Sequence, residues 1–255
     1  MKDKYKLSVK IKTKGHILKK ILLGAVILMG IIVSGLSGAT SYNVSNTSGS
    51  IKGKLIFTPH YYEYNENENP DKYYWCAHGA LKMALKAQGL YKSLDDIHED
   101  FKVANKGLGV YNEKITNICH TGYCGSPIII KKTVNKYNKD ILGVSYKRDT
   151  VVGHKDFLNT VKSNIDKGKV VISLSDKYFK IDSKDNYTGK LGNVGHYFDI
   201  IGYINYNDKT YLLLRDTYKE KGGKYWDKIV NSEYFWNNAS GQSRPNEMVL
   251  SIIGD

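Results

Sequence analysis

Two apolar runs, His196-Tyr-Phe-Asp-Ile-Ile-Gly-Tyr-Ile204 and Thr210-Tyr-Leu-Leu-Leu-Arg-Asp216, flank the polar pentapeptide Asn205-Tyr-Asn-Asp-Lys209. This pattern limits the fold more than any other. Aromatic and β-branched residues favour extended backbone, and so short a turn joins antiparallel neighbours. The two runs therefore read as a hairpin. With its turn centred near Tyr206 or Asn207, His196 falls opposite Asp216, their Cβ atoms about 5 Å apart if directly paired. A third run, Lys169-Val-Val-Ile-Ser-Leu-Ser175, reads as another strand.

Upstream the period changes. Ala77, Leu81, Ala84 and Leu85 recur at helical spacing, with Gly89 placed as a C-terminal cap. Ser93-Leu-Asp-Asp96 is a capping box that opens a second helix to about Phe101. Ser126-Pro127 opens a third, with Ile130, Val134 and Tyr137 on one face. Phe157, Val161 and Ile165 mark a fourth that stops at Gly168. Helices come first and strands second, an α+β layout rather than alternating βαβ units.

The chain has 255 residues, ample for one domain with a sizeable core. Its net charge of +13 raises a nucleic-acid partner, but +7 of it lies in residues 1–39, which hold eight Lys and one Asp. The remaining +6 is spread along the chain and selects no nucleic acid. After the lysines comes an uncharged apolar stretch, Ile21 to Val33, then the small residues Ser37-Gly38-Ala39. That order reads as a signal peptide or an N-terminal membrane anchor over 1–39, with the lysines left on the cytoplasmic side. Residues 40–54, rich in Ser, Thr, Asn and Gly, read as a linker, and 55–255 as one exported domain. Membrane contact is then confined to residues 21–39, and the domain is secreted or anchored to the cytoplasmic membrane.

Chemistry gathers where the elements begin and end. Cys76 immediately precedes the first helix, at the positive end of its dipole, where an anionic sulfur is best tolerated. Most unpaired cysteines are simply buried. The hairpin sets this one apart, because a His beside a carboxylate is held in one tautomer and serves as a base. Cys76, His196 and Asp216 together are the parts of an activated thiol nucleophile.

At these residues the chain resembles a known family. Cys76-Ala-His-Gly-Ala-Leu-Lys-Met-Ala-Leu85 resembles the Cys-Gly-Pro-Ala-x-Leu-x-Met-x-Leu helix of the bacteriocin-processing (double-glycine leader) peptidases, family thirty-nine of the cysteine peptidases. Gly168-Lys-Val-Val-Ile-Ser-Leu174 is similar to that family's central strand, and Val194-Gly-His-Tyr-Phe-Asp-Ile-Ile-Gly-Tyr203 to its histidine strand. The resemblance spans about residues 70–240. It implies a papain-like cysteine peptidase fold, a peptide or protein substrate and no cofactor, with Cys76 as nucleophile, His196 as base and Asp216 as orienting acid. Two departures stand out. Ala77-His78 replace the family's Gly-Pro, and its oxyanion Gln has no counterpart, since the two Gln here are Gln88 and Gln242. Asn67 or Asn69 could supply a side-chain amide instead.

Other conspicuous residues read more plainly. His78 is two positions past Cys76 and does not face it, so it is expected on the exposed side. His154 has no acid partner and is expected on the surface. Cys119, His120 and Cys124 lack a fourth ligand, so no metal is expected; Cys119 and Cys124 are either bridged, as export favours, or free. Three classes follow: an exported thiol peptidase with a Cys-His-Asp triad; a cell-wall amidopeptidase or transglutaminase-like acyl transferase; and an inactive peptide-binding module on the same fold, for which the missing Gln argues. Leader processing fits less well, because that site faces the cytoplasm beside a transporter and no phosphate loop is present.

Expressed with its own N-terminus, the domain should be recovered outside the membrane, with an intact mass starting near Thr40 if the leading segment is removed. Cytosolic protein retaining Met1 would overturn the export reading.

Overall fold

The computed structural model describes residues 39–46, 49–56, 75–106, 125–140, 144–175, 178–181, 187–192, 195–217, 227–241 and 245–254. The expected signal or anchor up to residue 38 lies outside them. The first helix, α1 (Cys76–Ala87), is apolar nearly all round and correspondingly buried: Ala77, Ala80, Leu81, Met83, Ala84, Leu85 and Ala87 are all inaccessible. A helix of that composition is covered on all but the narrow side that carries Lys82 and Lys86. It lies against the sheet and against α2 (Leu94–Lys106), which in turn packs on α3 (Pro127–Asp140).

The helix ends follow the local signals. Gly89, with φ +82°, lets its N–H reach Lys86 O and the Leu90 N–H reach Leu85 O, closing α1. At α2, Ser93 Oγ accepts from Asp96 N–H at 3.0 Å, while Asp96 Oδ2 accepts from Ser93 N–H at 3.1 Å. This is the reciprocal cap expected from Ser93-x-x-Asp96. Gly168, at φ +82°, ends α4 (Gly153–Asp166) as Gly89 ends α1.

Every strand pair among the described residues is antiparallel. The main sheet runs β1 (Ala39–Asn46), β2 (Gly49–Ile56), β7 (His196–Tyr206), β4 (Val170–Ser175), β10 (Glu247–Ile253), β3 (Tyr146–Val152). From the other edge of β7 branch β8 (Lys209–Asp216) and then β9 (Asp227–Asn231). A separate two-stranded arm, β5 (Tyr178–Ile181) with β6 (Tyr187–Gly192), leaves the sheet between β4 and β7. Residues 40–46 and 49–54, expected as linker, are strand in the β1–β2 pair, which joins the sheet because β2 continues the ladder along β7 beyond the end of β4.

The helices cover both faces. Tyr146 of β3 donates its hydroxyl to Pro127 O at 2.9 Å and lies 3.2 Å from Ser251 Oγ of β10, tying α3 to its side of the sheet. On the other side Phe235 of α5 (Ser232–Ala239) meets Phe198 edge-on at 6.1 Å and stacks with Phe157 of α4 at 5.9 Å. The α+β reading holds, with helices first and an antiparallel sheet second, although α4 and α5 interleave with the strands.

The hairpin departs from its expected register. Its turn is Asn207-Asp208, both at positive φ (47° and 58°), the type I′ geometry of two-residue hairpins. From Tyr206↔Lys209 the ladder runs to Gly202↔Leu213, then slips by one residue at Ile201, and resumes as Ile200↔Leu214 and Phe198↔Asp216. Asp216 thus opposes Phe198, not His196. Ile201 is a β-bulge, and beside it Gly202 leaves no room for a side chain. A Cβ there would lie 2.5 Å from Lys54 O and 2.7 Å from Leu213 Cδ1. The backbone oxygen cannot yield without shifting β2. Gly202→Ala should therefore lower the urea midpoint, with a loss of about 1–3 kcal/mol. An unchanged midpoint would show that β2 does not hold the bulge.

Candidate active site

Cys76 is the first residue of α1 and is half-buried. Trp75 precedes it as the helix cap, and no side chain there accepts a hydrogen bond from the first turn. Trp75 O takes the first intrahelical bond, from Gly79 N–H at 2.9 Å. The earlier N–H groups of the turn, Cys76's own among them, have no partner within the helix.

His196 opens β7, opposite Ser175, the last residue of β4. Its Nε2 lies 2.7 Å from Asp216 Oδ1, and both residues are 6% exposed. An ionised carboxylate only accepts, so Nε2 carries the proton and Nδ1 is left for the thiol. Phe198 meets the imidazole edge-on at 4.8 Å. Burial alone would lower the pKa of His196. The charge and hydrogen bond of Asp216, followed by the hydrogen bond and charge of Cys76, outweigh it and hold the ring well above the ordinary 6.5.

The bulge accounts for this meeting. Carried on from Gly202↔Leu213 without a slip, the ladder would set Asp216 opposite Asp199, pointing away from His196. One extra residue restores the parity. Asp216 then reaches His196 diagonally, from two positions further along, rather than from the directly opposed position expected of the sequence.

The structure therefore brings Cys76, His196 and Asp216 together. Asn67, Asn69, Cys119 and Cys124 lie outside the described residues. His78 is not exposed: it is 1% accessible, packed between Trp75 at 4.7 Å and Phe101 at 4.4 Å. The periodicity did point away from Cys76, but α2 covers that side too. His154 is half-buried, with Nε2 3.1 Å from Ser232 Oγ. Among the described residues no three His, Cys, Asp or Glu are grouped to hold a metal.

Two further polar groups escaped the sequence reading because each lies within an apolar strand run. Tyr197, 5% exposed, has no hydrogen-bond partner for its hydroxyl. Burial holds this phenol well above its ordinary value, with Cys76 and Tyr146 adding to the effect and Arg148 opposing it. Asp199 is fully buried opposite Arg215, with neither oxygen hydrogen-bonded. Burial pushes its carboxyl well up against the pull of Arg215, favouring the neutral acid.

A buried His–Asp pair beside a cysteine at a helix N-terminus is an arrangement that can activate a thiol. The model of the Peptidase C39 like family matches residues 58–244, most of the chain and all three of these residues. The protein belongs to the Peptidase C39 like family. No curated protein matches the chain. As a C39-like member it takes peptides as its substrate class, and the helices-then-antiparallel-sheet order agrees with a C39-like papain fold.

The His196 pKa carries a pH signature. Below pH 6.5 the ring is protonated in folded and unfolded chains alike, and its stabilising effect is fully present. As pH rises through the elevated folded value the proton leaves and that stabilisation is lost. Asp216→Asn removes the carboxylate that raises the value, so urea midpoints should fall less steeply above pH 6.5 than in wild type. Equal slopes in the two proteins would contradict the assignment.

Proposed function

We propose that this C39-like protein is a thiol peptidase in which Cys76 attacks the scissile carbonyl, His196 moves the proton and Asp216 orients His196. One observation carries the reading: His196 is bound through Nε2 to a buried carboxylate while its remaining nitrogen is available to Cys76. His196 Nδ1 holds the proton drawn from the thiol before attack, so the Cys76 sulfur bonds to the carbonyl carbon as a thiolate, and Asp216 stabilises the imidazolium beside it. The oxyanion develops beside the uncapped first turn of α1, where the Cys76 N–H can donate to it. His196 then returns the proton to the leaving amine, and water releases the acyl group from sulfur. The basic, then apolar, composition of residues 1–39 supports action outside the cytoplasmic membrane.

A mixed peptide library incubated with the full chain tests this. Cys76→Ala and His196→Ala should each abolish product formation. Asp216→Asn should leave a residue of it, lowered by up to about 10⁴, the cost of a lost orienting acid in a serine triad. Products joined to an added amine would place the protein with acyl transferases. Identical results from wild type and Cys76→Ala would leave a peptide-binding module.

A further inference from the structure

His78 stands where the resembled helix carries proline, and the triad makes no use of it. Its Nε2 lies 3.3 Å from Nδ1 of His98 on α2. Trp75 stacks on both rings, at 4.7 Å on His78 and 4.3 Å on His98, and Phe101 closes the other side of His78. Trp75 is also the cap of α1 and the neighbour of Cys76, at a helix start with no side-chain cap. The stack thus packs against the residue at which the first turn begins.

The direction of the hydrogen bond follows from burial. Nδ1 of His78 is buried with no partner. A bare lone pair there costs less than an N–H without an acceptor. His78 therefore carries its proton on Nε2 and donates it, and His98 Nδ1 accepts. We propose that this contact is a proton-dependent latch that positions the nucleophile: with both imidazoles neutral it holds Trp75 and the start of α1, and a proton on His98 Nδ1 releases them.

Protonated His98 is no longer an acceptor. The contact could survive only if His78 moved its own proton to Nδ1, the buried position without an acceptor. Charging His78 as well is opposed by its burial and by His98, which together hold its pKa well below 6.5. Among the described residues, Cys76 and Lys82 lie within about one turn of His78 along α1, and Asp95, Asp96, Glu99, Asp100 and Lys102 within about one turn of His98 along α2. Glu99 and Lys102 pair with each other at 2.8 Å. Beside Ala77 and Phe101 the chain presents Gly125, which has no titratable group.

The positioning role rests on Cys76 being the nucleophile, so the test reads position separately from turnover. Trp75 fluorescence, taken as wild type minus Trp75→Phe, and iodoacetamide labelling of Cys76, followed by peptide mapping, are measured across pH in the full chain. In wild type, acid should change the fluorescence and slow labelling over the same range. His98→Asn keeps an acceptor that does not protonate. It should label like wild type at neutral pH, lose the acid fluorescence change, and slow in acid only as far as protonation of the Cys76 sulfur requires. His98→Leu should show the acid fluorescence and several-fold slower labelling already at neutral pH. The latch is overturned if His98→Asn titrates as wild type does, or if fluorescence changes while labelling does not follow. With both transitions present but no peptide cleaved, the latch stands and the catalytic reading falls.

Discussion

The candidate site depends on a single inserted residue in β7. Ile201 slips the β7–β8 ladder by one, and the slip turns Asp216 to the face of His196. The bulge lies where the other edge of β7 changes partner, from β4 at residues 196–200 to β2 at residues 202–205. Two strands thus meet β7 end to end, and Gly202 is the residue slim enough for Lys54 O to pass beside it. Most of the hairpin is ordinary packing of Leu212, Leu214 and Ile204. The meeting of Asp216 with His196 hangs on the one irregularity.

Around Cys76 the protein has buried two imidazoles in opposite electrostatic settings. His196 faces a carboxylate and is raised well above 6.5; His78 faces another imidazole and is lowered well below it. Linkage gives these shifts opposite consequences. A raised histidine loses its stabilising effect as pH climbs above 6.5. A lowered one becomes a liability as pH falls below 6.5, because the unfolded chain takes up the proton first. Together they favour stability near neutrality, where His78 remains a hydrogen-bond donor and His196 holds its proton.

Much of this was legible from spacing. The three cap signals at Gly89, Ser93-x-x-Asp96 and Gly168 all appear where local chemistry placed them, because caps are contacts within a few residues. The strands around 170–175, 196–204 and 210–216 were also legible from their runs of β-formers. β1 and β2 were not: their Ser, Thr, Asn and Gly composition reads as linker, and only a free edge on β7 makes them strands. The apolar run of β10 is short enough to suit a strand or a buried helix segment, and its place between β4 and β3 is what decides.

The sequence by itself singled out the candidate residues: a cysteine at a helix start, a histidine opening a strand, and an acid closing the next, in that order. Residue type and short-range period suffice for that, since both act over a few positions. Tertiary structure decided the rest. The β1–β2 pair and the Ile201 bulge set the face on which Asp216 appears, because register depends on what lies along both edges of a strand. The packing of α2 on α1 decided that His78 is buried against His98 rather than exposed. A helical period names the direction a side chain takes, but not whether another element waits there.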